Sequence, residues 1–197
     1  MELVGKGAEA NLYRDGGTLV KERAGKAYRI PELDKTIRRR RTKSEAKIMQ
    51  KARQAGILTP KILDTGKDSY KITMEYVDGV LCKDVLGQSD DARIATLSAR
   101  IGGDLRKLHD ADIIHNDLTT SNLIIAGEDP YFIDFGLAFR SKRLEDKAMD
   151  LVVFKKSLMA THTTLVEPIW AAVVAGYLPD KDILARVEQI EKRVRYS

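Results

Sequence analysis

A single cysteine, Cys82, stands in 197 residues. An internal disulfide is therefore excluded and a reducing compartment expected. With no partner legible nearby, Cys82 reads as a small packing residue, not a nucleophile. No apolar run approaches the roughly 20 residues a helix needs to cross a bilayer. The start, Met1-Glu2-Leu3-Val4-Gly5, lacks the basic flank and apolar core of a secretion signal. The expectation is a cytoplasmic protein without membrane contact. Repeats and low-complexity tracts are also missing. What is present is ordinary for a soluble globular chain, 43% hydrophobic and 32% charged, long enough to bury a real core as one domain or two joined lobes. The net charge of +5 favours polyanionic partners without saying anything of fold.

Along the chain the pattern changes character. The first third alternates short β-like runs and turns: Ala10 to Tyr13, a Gly16-Gly17 hairpin signal, then Thr18 to Lys21. After Pro31 a helical pattern runs to Ala55, stopped by Gly56. Lys61 to Gly66 and Tyr70 to Val77 read as two more strands, and a boundary is placed at Asp78-Gly79. From Asp90, the residues Ile94, Leu97, Ile101, Leu105 and Leu108 fall on one helical face, with Asp90 or Asp91 as N-cap. Two short strands, Leu123 to Ile125 and Tyr131 to Ile133, precede three helices over about 145–160, 165–176 and 180–195, with Gly176 and Pro179 punctuating the last two. Strands first and helices second give an α+β arrangement of two lobes, 1–77 and 78–197, in one domain.

The chemistry sits at the joint. In His115-Asn116-Asp117-Leu118-Thr119-Thr120-Ser121-Asn122, an aspartate suited to accept a proton (Asp117) precedes an amide (Asn122) by five positions. Twelve positions later Asp134 opens Asp134-Phe135-Gly136. Mg²⁺ takes hard oxygen ligands and completes its octahedron with water and substrate phosphates. One amide, one carboxylate and a separate aspartate are what phosphoryl transfer from ATP requires. Either motif alone is a common turn or strand end; the ordered pair at this spacing carries the signal.

Upstream, Gly5-Lys6-Gly7-Ala8-Glu9 precedes a strand, lacking both the third glycine of a full glycine-rich loop and the G-K-[ST] ending of a P-loop. Glycines allow backbone N–H groups close to a phosphate. Lys21 at a strand end and Glu45 on the following helix are 24 residues apart, the spacing of an ion pair that holds a lysine on α- and β-phosphates; Glu32 and Glu9 compete for the role of Glu45. Met74 would wall an adenine pocket, and Glu75 and Val77 would offer it main-chain groups.

These residues together resemble the eukaryotic-type protein kinases. Lys21-Glu22-Arg23, Lys26 to Asp34, His115 to Asn122 and Ile133 to Ala138 closely resemble one small atypical family, the kinase/ATPase subunit of the KEOPS (EKC) complex, also called the p53-related protein kinase family, over nearly the whole chain. The resemblance implies a bilobal kinase-like fold with a small β-rich N-lobe and a reduced helical C-lobe. It also implies ATP and Mg²⁺ as cofactors, weak Ser/Thr kinase and ATPase activity, and a cytosolic archaeal setting. The implied partners are the other KEOPS subunits, chiefly the threonylcarbamoyltransferase, in forming threonylcarbamoyladenosine on tRNA beside the anticodon. It makes Asp117 the proton acceptor, Asn122 and Asp134 the metal ligands, Lys21 the phosphate lysine and Glu45 its partner. Asp150 becomes a buried brace of the catalytic loop, and Arg193 and Arg195 a basic tail that meets tRNA.

Departures matter as well. Asn116 stands where an arginine would precede the catalytic aspartate, and it lacks the cationic fork that grips an activation-loop phosphate. No A-P-E follows Asp134-Phe135-Gly136, and Leu137 to Asp146 is short for a peptide-docking platform. Arg38, Arg39, Arg40 and Arg41 in succession wrap a helix, so some of them should face outward without an acidic partner, suited to an RNA backbone. Two other readings share the motifs: a stand-alone kinase of the RIO or aminoglycoside-phosphotransferase type, and a nucleotide-sensing scaffold.

Overall fold

The structure, a computed structural model, describes residues 1–7, 9–66 and 70–195, with side chains as far as Arg193. Its first lobe is an antiparallel sheet of five strands: β1 (Glu2–Lys6), β2 (Ala10–Asp15), β3 (Thr18–Arg23), β4 (Ile62–Asp64) and β5 (Lys71–Glu75), in the order β1-β2-β3-β5-β4. Asp15 pairs with Thr18 across the expected Gly16-Gly17 turn, where Gly16 has φ +59°, a conformation glycine adopts without steric cost. Helix α1 (Pro31–Gln54) starts on proline, whose missing N–H would be unpaired there anyway. It ends at Gly56 with φ +84°, as the sequence indicates.

Tyr76 to Gly79 join the lobes. A Cβ on Gly79 would lie 2.5 Å from the Ile125 carbonyl oxygen, so only glycine lets β6 (Val80–Leu81) run close enough to pair with the next sheet. The short α2 (Cys82–Leu86) follows, then α3 (Asp91–Asp110), capped by the Asp90 carboxylate accepting from the Arg93 N–H at 2.8 Å. The five apolar positions expected on one face of α3 are all buried. Then come β7 (Ile113–Ile114), a 3-10 turn over Thr120–Asn122, β8 (Leu123–Ala126), β9 (Asp129–Phe132), a second such turn over Phe135–Leu137, and β10 (Phe139–Arg140). β6, β8 and β9 form one small sheet, and β7 and β10 another. Helices α4 (Leu144–Thr161), α5 (Val166–Tyr177) and α6 (Lys181–Arg195) complete the second lobe.

Two readings need correction. Gly176 lies inside α5 and does not end it: its added Cβ would stand 1.8 Å from the Ala99 carbonyl oxygen, and one on Gly102 would stand 2.0 Å from that of Val173. The glycines let α3 and α5 cross at backbone contact. The glycine-rich stretch also does not merely precede a strand, because Gly5 and Lys6 lie within β1, with an irregularity between Leu3 and Gly5. Cys82 is fully buried, and burial pushes its thiol pKa up to about 12, which suits packing and not nucleophilic attack.

Candidate active site

β3 and β5 are central strands, and their pairing sets Lys21 opposite Ile72 on the sheet floor. Lys21 is 9% exposed, and its Nζ donates to Glu45 Oε1 at 2.6 Å and to Asp134 Oδ1 at 2.7 Å. Burial alone would lower the Lys21 pKa, but the Glu45 and Asp134 carboxylates outweigh it and hold the ammonium above its ordinary value. Asp134 shows the mirror image: burial pushes its pKa up, and Lys21 more than reverses this, so the carboxylate titrates below the usual range. Of the candidate partners for Lys21, Glu45 is therefore the one in place. Glu32 is exposed in the first turn of α1, and Glu9 pairs with Arg41 at 3.0 Å and Lys26 at 3.4 Å.

The segment from His115 to Asn122 is held from behind. Asp150 on α4 accepts from the main-chain N–H of His115 and of Asn116, both at 2.6 Å, and from His109 Nε2 at 3.2 Å; His109 Nδ1 meets the Tyr177 hydroxyl at 2.8 Å. The brace expected at Asp150 is there. The His115 ring donates through Nε2 to the Ile133 carbonyl at 3.1 Å and packs on Phe135 with ring centroids 4.8 Å apart. Its burial lowers its pKa, so it is a neutral strut between the two motifs and not an acid. Asn116 and Asp134 both sit in the left-handed region, φ 65° and 58°, which asparagine and aspartate tolerate best among residues with a Cβ. Asn116 also donates through Nδ2 to the Leu137 carbonyl at 3.3 Å. It thereby ties the catalytic segment to the stretch after Gly136 where an arginine-bearing loop would need a phosphate.

Asn122 Nδ2 donates to the Asp117 carbonyl at 2.7 Å and to Asp117 Oδ2 at 3.1 Å. That fixes the amide so that its oxygen is the atom left to offer. Asp134 Oδ1 is taken by Lys21 and by the Gly136 N–H at 3.2 Å, leaving Oδ2. Among the described residues no cluster of three His, Cys, Asp or Glu side chains could cage a metal. Two hard oxygens with remaining positions for water and phosphate fit Mg²⁺, which rarely takes an all-protein cage.

These groups face one cleft between the lobes, about 820 Å³ in volume, lined by Gly5, Lys6, Gly7 and Glu9 above, Met74 to Val77 at the back, and Asp117, Asn122 and Asp134 below. The Glu75 N–H is bonded to the Lys61 carbonyl at 2.9 Å, so its carbonyl is the main-chain group it can turn to a base. Met74, 4% exposed, walls the back. Ala8 lies outside the described residues.

The basic run faces outward only in part. Arg38 Nε is bonded to Asp34 Oδ2 at 2.7 Å and its guanidinium stacks 3.8 Å from the Tyr70 ring centroid, while Arg41 is turned into the cleft toward Glu9. Arg39 and Arg40 are the exposed pair. A polyarginine helix selects its own acids first, because an acid on the preceding turn is within reach at i, i+4. Arg193 reaches Glu145 at 3.4 Å, and the Arg195 side chain lies outside the described residues. Sequence reasoning also missed Arg23, which shares Glu45 with Lys21 through an Nη2–Oε2 ion pair. Two residues beyond Lys21 on the same strand face, it was findable only as a second basic residue in period with the first.

The chain is similar to known proteins along its length. The protein kinase domain family model matches residues 1–163. The chain is 42% identical over its whole length to a probable bifunctional tRNA threonylcarbamoyladenosine biosynthesis protein of Methanothermobacter thermautotrophicus. It is 42% identical over 98% of its length to the one of Methanocaldococcus jannaschii, and 40% identical over its whole length to that of Methanosarcina mazei. It spans only 36–37% of the length of these relatives. A solved structure of WaaP in complex with acyl carrier protein superposes with a TM-score of 0.63, covering 98% of this chain and 88% of that one at 13% identity, which shows a shared fold.

Proposed function

The chain belongs to the protein kinase domain family, and on that premise we propose that it is a Mg²⁺-dependent ATPase and weak serine/threonine kinase that supports threonylcarbamoyladenosine formation on tRNA. One observation carries the chemical half: Lys21 bridges Glu45 and Asp134 inside a cleft that Asp117 and Asn122 also face. When bound by Asn122 and Asp134, Mg²⁺ would neutralise developing phosphate charge. Lys21 holds the α- and β-phosphate oxygens. Asp117, half-buried and oriented by Asn122, accepts the proton of the attacking hydroxyl. Between the turn ending at Leu137 and the start of α4 at Leu144 the chain builds only the two-residue β10, so water or a small flexible hydroxyl donor suits the site better than a docked peptide.

The tRNA half rests on the relatives. Their name joins two functions, and this chain aligns with about a third of their length; the kinase-like third is what we assign to residues 1–197. The transferase activity belongs, in this reading, to another part of a KEOPS-type assembly, in the cytosol, with tRNA as the common substrate. The described helices include none long and apolar enough to cross a membrane.

The test is ATP hydrolysis with Mg²⁺, alone and with the transferase partner and tRNA. Asp117→Ala should lower kcat by roughly 10²- to 10⁴-fold while sparing nucleotide binding; Asp134→Ala should also weaken Mg²⁺-nucleotide binding. Wild-type turnover in both variants, or full support of tRNA modification by both, would leave a scaffold as the better account. Rapid phosphorylation of a metabolite by the chain alone would favour the stand-alone kinase.

A further inference from the structure

Lys21 and Arg23 project from one face of β3 and grip the two oxygens of the same carboxylate: Lys21 holds Glu45 Oε1 at 2.6 Å, and Arg23 Nη2 holds Oε2. Glu45 is 2% exposed and Arg23 5%. The same guanidinium stands behind the Asp134-Phe135-Gly136 turn, where a Cβ added to Gly136 would be 3.3 Å from Nη2. Arg23 thus touches β3, α1 and the metal-side turn at once, and the phosphate chemistry described above gives it no task.

Its task follows from charge. The cluster holds two cations, Lys21 and Arg23, and two anions, Glu45 and Asp134. In the reading above, which this inference rests on, a triphosphate recruits Lys21 and a metal recruits Asp134. If Lys21 were the only cation on Glu45, each arrival of nucleotide would draw charge away from a carboxylate that water cannot reach, and an uncompensated buried charge is strongly destabilising. Arg23 gives Glu45 a partner independent of nucleotide. Arginine suits this place because its planar fork stays charged and bonds a carboxylate directionally. We propose that Arg23 is a positioning residue that keeps Glu45, and with it α1, docked on the sheet in the empty and loaded states alike, so that catalysis needs no inward swing of the helix.

The experiment compares wild type with Arg23→Met, Lys21→Met and Arg23→Lys, measuring hydrogen exchange of the α1 amides with and without Mg²⁺-ATP, alongside kcat and KM. Without nucleotide, Arg23→Met should raise α1 exchange by roughly tenfold or more, and saturating ATP, which recruits Lys21 away from Glu45, should raise it further. Lys21→Met should keep α1 protection within about threefold of wild type while losing activity. Arg23→Lys should recover most of the protection, because a cation remains opposite Glu45. If Arg23→Met does not fold, Arg23→Gln replaces it, with the same expectation. Wild-type protection in Arg23→Met (or in Arg23→Gln where it replaces it), or equal loss in Lys21→Met, would overturn the proposal. The nucleotide-free arm needs no enzymatic activity. A wild-type protein without ATPase activity would count against the function proposed above, and the exchange result would still decide the role of Arg23.

Discussion

Two buried carboxylates, one in each lobe, are held in opposite ways. Glu45 is gripped by side-chain cations, Lys21 and Arg23, at the wall of the cleft. Asp150 is gripped by main-chain N–H groups of His115 and Asn116 and by the ring of His109, itself bonded to Tyr177. Side-chain cations can be redirected to a substrate; backbone amides cannot. The lower lobe therefore fixes where Asp117 stands, and the upper lobe keeps movable charge, which the proposed function assigns to phosphate. Packing follows the same division. In the second lobe α3 and α5 meet at backbone distance through Gly102 and Gly176, whereas α1 buries Asp34, Thr42 and Glu45 beside its apolar residues.

Breaking the fixed side should have the largest effect. Asp150→Ala strands a buried N–H at His115, a part-buried one at Asn116 and the ring of His109, a fully buried unsatisfied group costing about 1–3 kcal/mol and a part-buried one less. The expected total of roughly 3–5 kcal/mol should appear as a large fall in Tm and a poorly populated native state, measured by circular dichroism and urea unfolding. Breaking the movable side should look different. Glu45→Gln keeps the shape of the side chain, leaves Lys21 paired with Asp134 and still offers Arg23 an amide oxygen to donate to, so a loss of about 1–3 kcal/mol in stability should accompany a disproportionate loss of kcat, on the order of 10-fold or more. If the two variants lost stability equally with the same kinetic profile, the contrast between the lobes would be wrong.

How much of this was written in the sequence depends on whether each contact is local. Asp117, Asn122 and Asp134 lie within eighteen positions of one another and carry fixed spacings, and the α3 face follows helical period. The Lys21–Glu45 pair was legible because strand and helix are consecutive. Arg23 was not, since its meaning needs the side of α1 that faces β3, and a second basic residue on a strand usually points to solvent. Gly176 was misread because a glycine that ends a helix and one that admits another helix's carbonyl look the same along the chain; its partner, Ala99, is far away in sequence. That some of the four arginines face outward follows from helical geometry, but which ones do depends on Asp34 and Glu9, which take Arg38 and Arg41.

Glu9 is a third carboxylate, exposed where the other two are buried, and it sets the lower end of the comparison. It joins the strand-loop edge above the cleft to Arg41 at 3.0 Å and Lys26 at 3.4 Å. Such exposed pairs contribute little to stability and are screened by salt, so Arg41→Glu should leave Tm nearly unchanged. Because Arg41 faces the cleft and not the outside of α1, the same change should raise the KM for ATP by about two- to fivefold at low ionic strength, and less at high salt. Glu9→Arg combined with Arg41→Glu should bring KM back toward wild type. Arg39→Ala with Arg40→Ala should do the reverse: no change in KM, but weaker tRNA binding in a filter assay, with the salt slope reduced by about one for each phosphate no longer engaged. If Arg41 changed the tRNA slope and left KM alone, its place would be with the outward pair, and the upper rim of the cleft would be held by the glycines and the strand irregularity alone.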